Sequence, residues 1–124
     1  MSRLGKIVLE NNSGIPKVII AEGGRFPSGI ELVQECPDRS SIKISASEIE
    51  KINYRGKKLG DCKANLNNVM IYNLNLREIG ALTSECYCRL LRQYISYQAS
   101  LGGTEPNYQM IRTEVQNQLI KLIK

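Results

Sequence analysis

Apolar residues recur along the last part of the chain at three- and four-residue intervals. Ile79, Leu82, Cys86, Leu90, Tyr94 and Tyr97 form one such series, and Tyr108, Ile111, Val115, Leu119 and Leu122 a second. The spacing predicts two helices, each with a single apolar stripe. Gly102-Gly103 between them predicts a tight reversal, so residues 77–124 read as an antiparallel helical hairpin. Thr104-Glu105-Pro106 suits the start of the second helix: a capping hydroxyl, a carboxylate at the positive end of the helix dipole, and a proline in the first turn. Neither helix can bury its stripe alone, so the preceding residues must supply a second layer.

Residues 1–76 carry a different pattern. Short β-branched runs at 6–10 (KIVLE), 16–21 (PKVIIA), 30–34 and 41–45 predict strands. Asn11-Asn12-Ser13-Gly14 and Cys36-Pro37-Asp38-Arg39 supply turns between them, and Gly23-Gly24-Arg25-Phe26-Pro27-Ser28-Gly29 reads as an irregular loop. Residues 48–54 and 57–59 flank Arg55-Gly56 as a hairpin, although Ser47 and Glu50 also fit a capping box opening a short helix; Ile49, Ile52 and Tyr54 favour the strand. Residues 67–73 form a last apolar run, an edge strand or a lead-in to the first helix. The prediction is a single α+β domain over residues 1–124, an antiparallel meander in 1–76 followed by two antiparallel helices in 77–124.

Composition leaves that picture intact and narrows the function. Hydrophobic residues make up 42% and charged residues 23%, which is ordinary for a soluble globular chain. No apolar run approaches the length of a bilayer, and no N-terminal segment has the order of a signal peptide, so no membrane role and a cytoplasmic location are expected. Cys36, Cys62, Cys86 and Cys88 show no C-x-x-C spacing and read as reduced thiols filling core and surface. The net charge of +5 is spread along the chain, a weak signature for wrapping duplex DNA but compatible with a partner bearing a few negative groups.

The chain has no histidine, and no cluster of metal-ligand type stands out, which argues against an enzyme working by imidazole or metal chemistry; no cofactor is expected. Binding residues are easier to name. At about 100° per residue from Tyr108, Ile111, Val115, Leu119 and Leu122 fall between about 300° and 20°, and Arg112 at about 40°, beside the seam. A guanidinium there must snorkel to water, pair with a carboxylate from the sheet, or meet an anion in a cleft at the core's edge. Tyr108 offers a ring face and a hydroxyl at the mouth of the same seam. Arg89 has Glu85 four residues before it for a surface pair, whereas Arg92 has no such acid and is freer to meet something external. The glycine-rich loop lacks the spacing and context of a nucleotide-binding P-loop, but it presents Arg25, which can fork onto phosphate, and Phe26, which can stack on a base or tuck into the core.

Gly14-Ile15-Pro16-Lys17-Val18-Ile19-Ile20 in the early strands and Glu105-Pro106-Asn107-Tyr108-Gln109-Met110-Ile111-Arg112 at the start of the last helix, within this β-then-helical layout, resemble the phage anti-Thoeris proteins, the first Thoeris anti-defence group. The resemblance implies a non-catalytic sponge: a homo-oligomer in the host bacterial cytoplasm that clamps a cyclic ADP-ribose signal between protomers and releases it intact. Related members also take up cyclic oligonucleotide signals. Arg112 would be the family-like helix arginine. Two other readings stay open. The sheet could be a single-strand nucleic-acid platform with Tyr54 and Tyr72 as stacking residues, or the helical hairpin could serve as a dimer interface.

Overall fold

The computed structural model describes residues 2–10, 14–50, 60–73, 75–103 and 106–123. Its strands are β1 (Lys6–Glu10), β2 (Lys17–Ala21), β3 (Ser28–Val33), β4 (Ser41–Ile44), β5 (Ile49–Glu50), β6 (Cys62–Asn65), β7 (Val69–Met70) and β8 (Leu76–Leu82); its helices are α1 (Ser84–Ser100) and α2 (Pro106–Ile123). The protein is α+β, an antiparallel sheet followed by two C-terminal helices, as the apolar patterning predicts. No helix among the described residues is long and apolar enough to cross a membrane.

The strand order β4-β6-β3-β2-β1-β8-β5 departs from a sequential meander. Among the described strands only β1, β2 and β3 follow one another side by side; β8 returns to the free edge of β1 and carries β5 beyond it. β3 shares its other edge between two partners. Ser28 and Gly29 pair with Met70 and Val69 of β7, while Leu32 and Val33 pair with Ala64 and Lys63 of β6.

Alternation sorts the side chains between the two faces of the sheet. Ile7 and Leu9, Val18 and Ile20, Ile30 and Leu32, Ile44, Cys62 and Ala64 join the main core with Cys86, Tyr87, Leu90, Leu91 and Tyr94 of α1 and Tyr108, Ile111 and Val115 of α2. On the other face Val8 and Ile19 pack with Ile71 in a smaller cluster. Tyr94 lies against Tyr108, and the Tyr87 hydroxyl donates to Gln118 Oε1 at 2.6 Å, so the two helices run antiparallel. Positive φ at Gly102 and Gly103 makes the reversal between them.

Residues 77–83 are a correction to the sequence reading. They extend β8 instead of opening the first helix, because the Thr83 side chain accepts the Cys86 N–H and so caps α1 after the strand. Ile79 and Leu82, three apart, mimic a helical stripe because a register shift in the β1–β8 pairing turns both toward the helices. Residues 62–65, unassigned from sequence, form β6. Residues 46–48 make a short 3-10 turn whose capping box uses Ser45 and Glu48 rather than Ser47 and Glu50, and only Ile49–Glu50 follows as strand. The expected hairpin around Arg55-Gly56, with Tyr54, the turn at Asn11-Asn12-Ser13, and the Thr104-Glu105 cap lie outside the described residues.

Arg89 pairs with Glu48 and not with Glu85. Its two terminal nitrogens meet the Glu48 carboxylate at 2.9 and 3.1 Å, and Nη2 also donates to the Lys43 carbonyl at 2.9 Å. This fork ties α1 to the β4 end of the sheet. The hydrogen bond from Arg89 holds the Glu48 carboxyl down at about 2, against an ordinary 4.5.

Candidate ligand-binding cleft

The loop between β2 and β3 leaves the sheet at Ala21, where the pairing with β3 shifts register, and rejoins it at Ser28. Two acidic side chains hold its shape. Glu22 accepts from Ser2 Oγ at 2.6 Å and from the Arg3 N–H at 3.2 Å, while Glu114 of α2 accepts the N–H groups of Glu22 and Gly23, both at 2.7 Å. A glycine is needed for this clamp, since a Cβ at position 23 would sit 2.6 Å from Glu114 Oε1. Consecutive loop N–H groups of the kind that cradle phosphate thus already hold a carboxylate of the protein's own.

Beyond the clamp the loop turns outward and presents Arg25 and Phe26. The Arg25 guanidinium stands 5.4 Å from the centre of the Phe26 ring, within the range of a cation–π contact. Phe26 in turn meets Tyr72 edge-on, ring centres 4.9 Å apart, and Tyr72 is 68% exposed. Under this rim lies a cleft of about 270 Å³ between the loop, Met70 of β7 and Met110, Ile111 and Glu114 of α2. Met110 is 61% exposed, an unbranched apolar side chain able to adapt to an occupant.

The inner wall is fixed from the helical core. Tyr94 donates its hydroxyl to Asn68 Oδ1 at 2.9 Å, and Asn68 Nδ2 donates to Ser28 Oγ at 2.8 Å. Tyr97 and Gln98 add hydrogen bonds to Asn67 and to the Leu66 carbonyl. Three α1 side chains therefore hold the corner between β6 and β7, and that corner positions Met70. Burial drives the Tyr94 hydroxyl above its ordinary range, which keeps it a hydrogen-bond donor.

The structure brings together two of the five residues singled out from sequence. Arg25 and Phe26 line the cleft. Tyr108 is 6% exposed and packs as core against Tyr94 and over Gly103, so its ring lies inside the seam instead of at a mouth. Arg112 is exposed and makes no salt bridge among the described residues; Met110 and Glu114, which do line the cleft, stand about 160° round the helix from it. Arg92 is exposed on α1 and also lies outside the cleft lining. Met70, Met110 and Glu114 were not anticipated. Glu114 sits on the flank of the α2 seam, but nothing in one sequence says that this flank faces a loop ninety positions earlier.

Two further clefts are larger. One, of about 410 Å³, is lined by Lys6, Glu50, Ser84, Tyr87, Gln118 and Lys121 among others, and another, of about 340 Å³, includes the cross-strand pair Lys43 and Lys63. Among the described residues neither contains an aromatic face beside a free guanidinium, and Lys63 is already engaged by Asp38 at 3.1 Å. The four cysteines are free thiols; burial pushes Cys62 up to about 11 and Cys86 up to about 12, so both are inert. Among the described residues no group of His, Cys, Asp or Glu is placed to hold a metal ion.

Comparisons with protein-family profiles, with curated proteins and with solved structures found no match to this chain.

Proposed function

We propose that the protein binds a small, anionic, nucleotide-derived signal of the cyclic ADP-ribose type and sequesters it without turnover. The observation that carries this reading is the Arg25 guanidinium set over Phe26 at the rim of an apolar cleft. Phosphate wants a forked cation and a nucleobase wants a flat apolar contact, and the rim offers both within a few ångströms. The chain has no histidine to serve as a general base, in keeping with binding rather than hydrolysis. The resemblance to phage anti-Thoeris sponges points the same way and supplies a biological role, counter-defence in the host cytoplasm.

At about 270 Å³ the cleft lies just below the size of pockets that enclose a drug-sized ligand. One protomer would cover the base end, and a second protomer would close over the rest. Exposed Arg92 and Arg112 on the helices would reach the anion from that second protomer, which makes the active species a homo-oligomer. Titration calorimetry with cyclic ADP-ribose isomers and cyclic di- and trinucleotides tests the reading. Saturable binding, loss of affinity in Arg25→Ala, and recovery of the intact ligand after heating are the expected results. A cleaved product would make the protein an enzyme, and no binding by any of these ligands would refute the proposal.

The exposure of Tyr72 favours one second reading, a single-strand nucleic-acid platform running along Phe26 and Tyr72. Polymer binding should weaken steeply with salt, in proportion to the phosphates contacted, whereas a small ligand enclosed in the cleft should respond far less.

A further inference from the structure

We infer that Glu114 sets the polarity and base preference of the cleft: the ligand enters base first and presents N–H donors to the Glu114 carboxylate, while its phosphate stays outside with Arg25. This inference rests on the nucleotide-binding reading above and specifies its ligand class, a nucleotide with an amine-bearing purine.

Three observations lead to it. First, Glu114 lines the cleft with Phe26, Met70, Met110 and Ile111, whose apolar side chains suit a planar ring and offer no charge. Second, the carboxylate is oriented. Each of its oxygens accepts one loop N–H at 2.7 Å, so the group cannot swing away without breaking both bonds. An ionised carboxylate has about four acceptor sites, and two remain after the loop has taken its share. Third, the cation of the site is not neutralised by this carboxylate: Arg25 is exposed at the rim and no salt bridge joins it to Glu114.

An acceptor-only group on the wall of an apolar cleft has two consequences. Phosphate is repelled from Glu114 and held by Arg25 at the rim, which fixes the direction of the ligand. The base edge that meets Glu114 must carry hydrogen-bond donors, because a carbonyl there would bring two acceptors together and leave both without a partner. Adenine offers its exocyclic amine, and guanine offers its ring N–H and amine side by side, matching the two carboxylate oxygens. Unsubstituted purine carries neither the amine of adenine nor the ring N–H and amine of guanine on that edge, so it isolates the contact.

The experiment compares AMP, GMP and purine riboside 5′-monophosphate by titration calorimetry against the wild-type protein, Glu114→Gln and Arg25→Ala. In the wild type AMP and GMP should each bind at least about 10-fold more tightly than the purine riboside monophosphate, the scale of a hydrogen bond to a charged acceptor. Glu114→Gln, whose amide both donates and accepts, should shrink that gap to within about 3-fold. Arg25→Ala should weaken all three ligands while leaving their ratios unchanged. The wild-type comparison needs no variant, so it decides even if Glu114→Gln loosens the loop. Equal affinity for the three ligands overturns the role of Glu114 and leaves the nucleotide reading standing. No binding of any of the three overturns the inference, and if cyclic ADP-ribose and the cyclic oligonucleotides are silent as well, the parent reading falls with it.

Discussion

Replacing Gly23 by alanine isolates the bond between the glycine-rich loop and α2. The φ of Gly23 lies outside the left-handed region, so the backbone itself accepts a Cβ. What the new methyl meets is Glu114: Oε1 at 2.6 Å and Cδ at 3.6 Å. Those atoms are the far end of a flexible side chain, and Glu114 can retreat to relieve the overlap. The penalty is therefore the loss of its two hydrogen bonds to the Glu22 and Gly23 N–H groups. Hydrogen bonds to a charged acceptor are worth about 1.5 to 3 kcal/mol each, and water replaces them in part at this exposed loop, which leaves about 1 to 3 kcal/mol for the pair. For a domain of this size that corresponds to a fall in Tm of about 3 to 15 °C. Gly24→Ala is the control, since a Cβ there meets only Met110 Cε at 3.7 Å and the Phe26 carbonyl at 3.8 Å, and it should shift stability by less than about 0.5 kcal/mol. Urea denaturation of Gly23→Ala, Glu114→Ala and the double variant closes the cycle. Once Glu114 is gone, adding a Cβ at 23 should have almost no effect. Equal losses for Gly23→Ala with and without Glu114 would refute the clamp.

Glu48→Gln should destabilise the protein at neutral pH. A carboxyl held at about 2 instead of 4.5 corresponds at face value to about 3 kcal/mol, and solvent screening at an Arg89 side chain 46% exposed reduces this to about 1 to 2 kcal/mol. The folded value is the depressed one, so this stability is present above pH 4.5 and is lost as the pH falls toward 2; chemical denaturation should show wild type and variant converging over that window. Leu90→Ala, in the fully buried core between sheet and helices, should cost about 2 to 5 kcal/mol by urea denaturation. Iodoacetamide at pH 8 should label the partly exposed Cys36 and Cys88, leaving Cys62 and Cys86 unmodified until the protein unfolds.

The layering of this fold was legible because periodicity reports burial. The strands at residues 6–10 and 17–21 and the seam of Tyr108, Ile111 and Val115 were readable from spacing alone. The start of α1 was not, because a bulge can place Ile79 and Leu82 on one face of a strand at the interval a helix would use. β6 was hidden in Cys62-Lys63-Ala64-Asn65, whose alternation is real but uses small side chains. In the site, Arg25 and Phe26 could be named because a glycine-rich loop exposes whatever it carries. Arg112 could not be placed, since a wheel gives an angle and not the neighbour that faces it. Glu114 depends on a contact between α2 and a loop early in the chain, which no local pattern encodes.

The divided edge of β3 limits how this chain can vary in length. Because β7 and β6 occupy one margin end to end, with the corner between them gripped by Tyr94, Tyr97 and Gln98, there is no slack for an added or deleted residue at positions 66–68. A single insertion there would reverse the facing of β7, turning Met70 out of the cleft and pulling Ile71 from the far side of the sheet. Indels in descendants of this gene should avoid that corner and collect where no partner counts the residues.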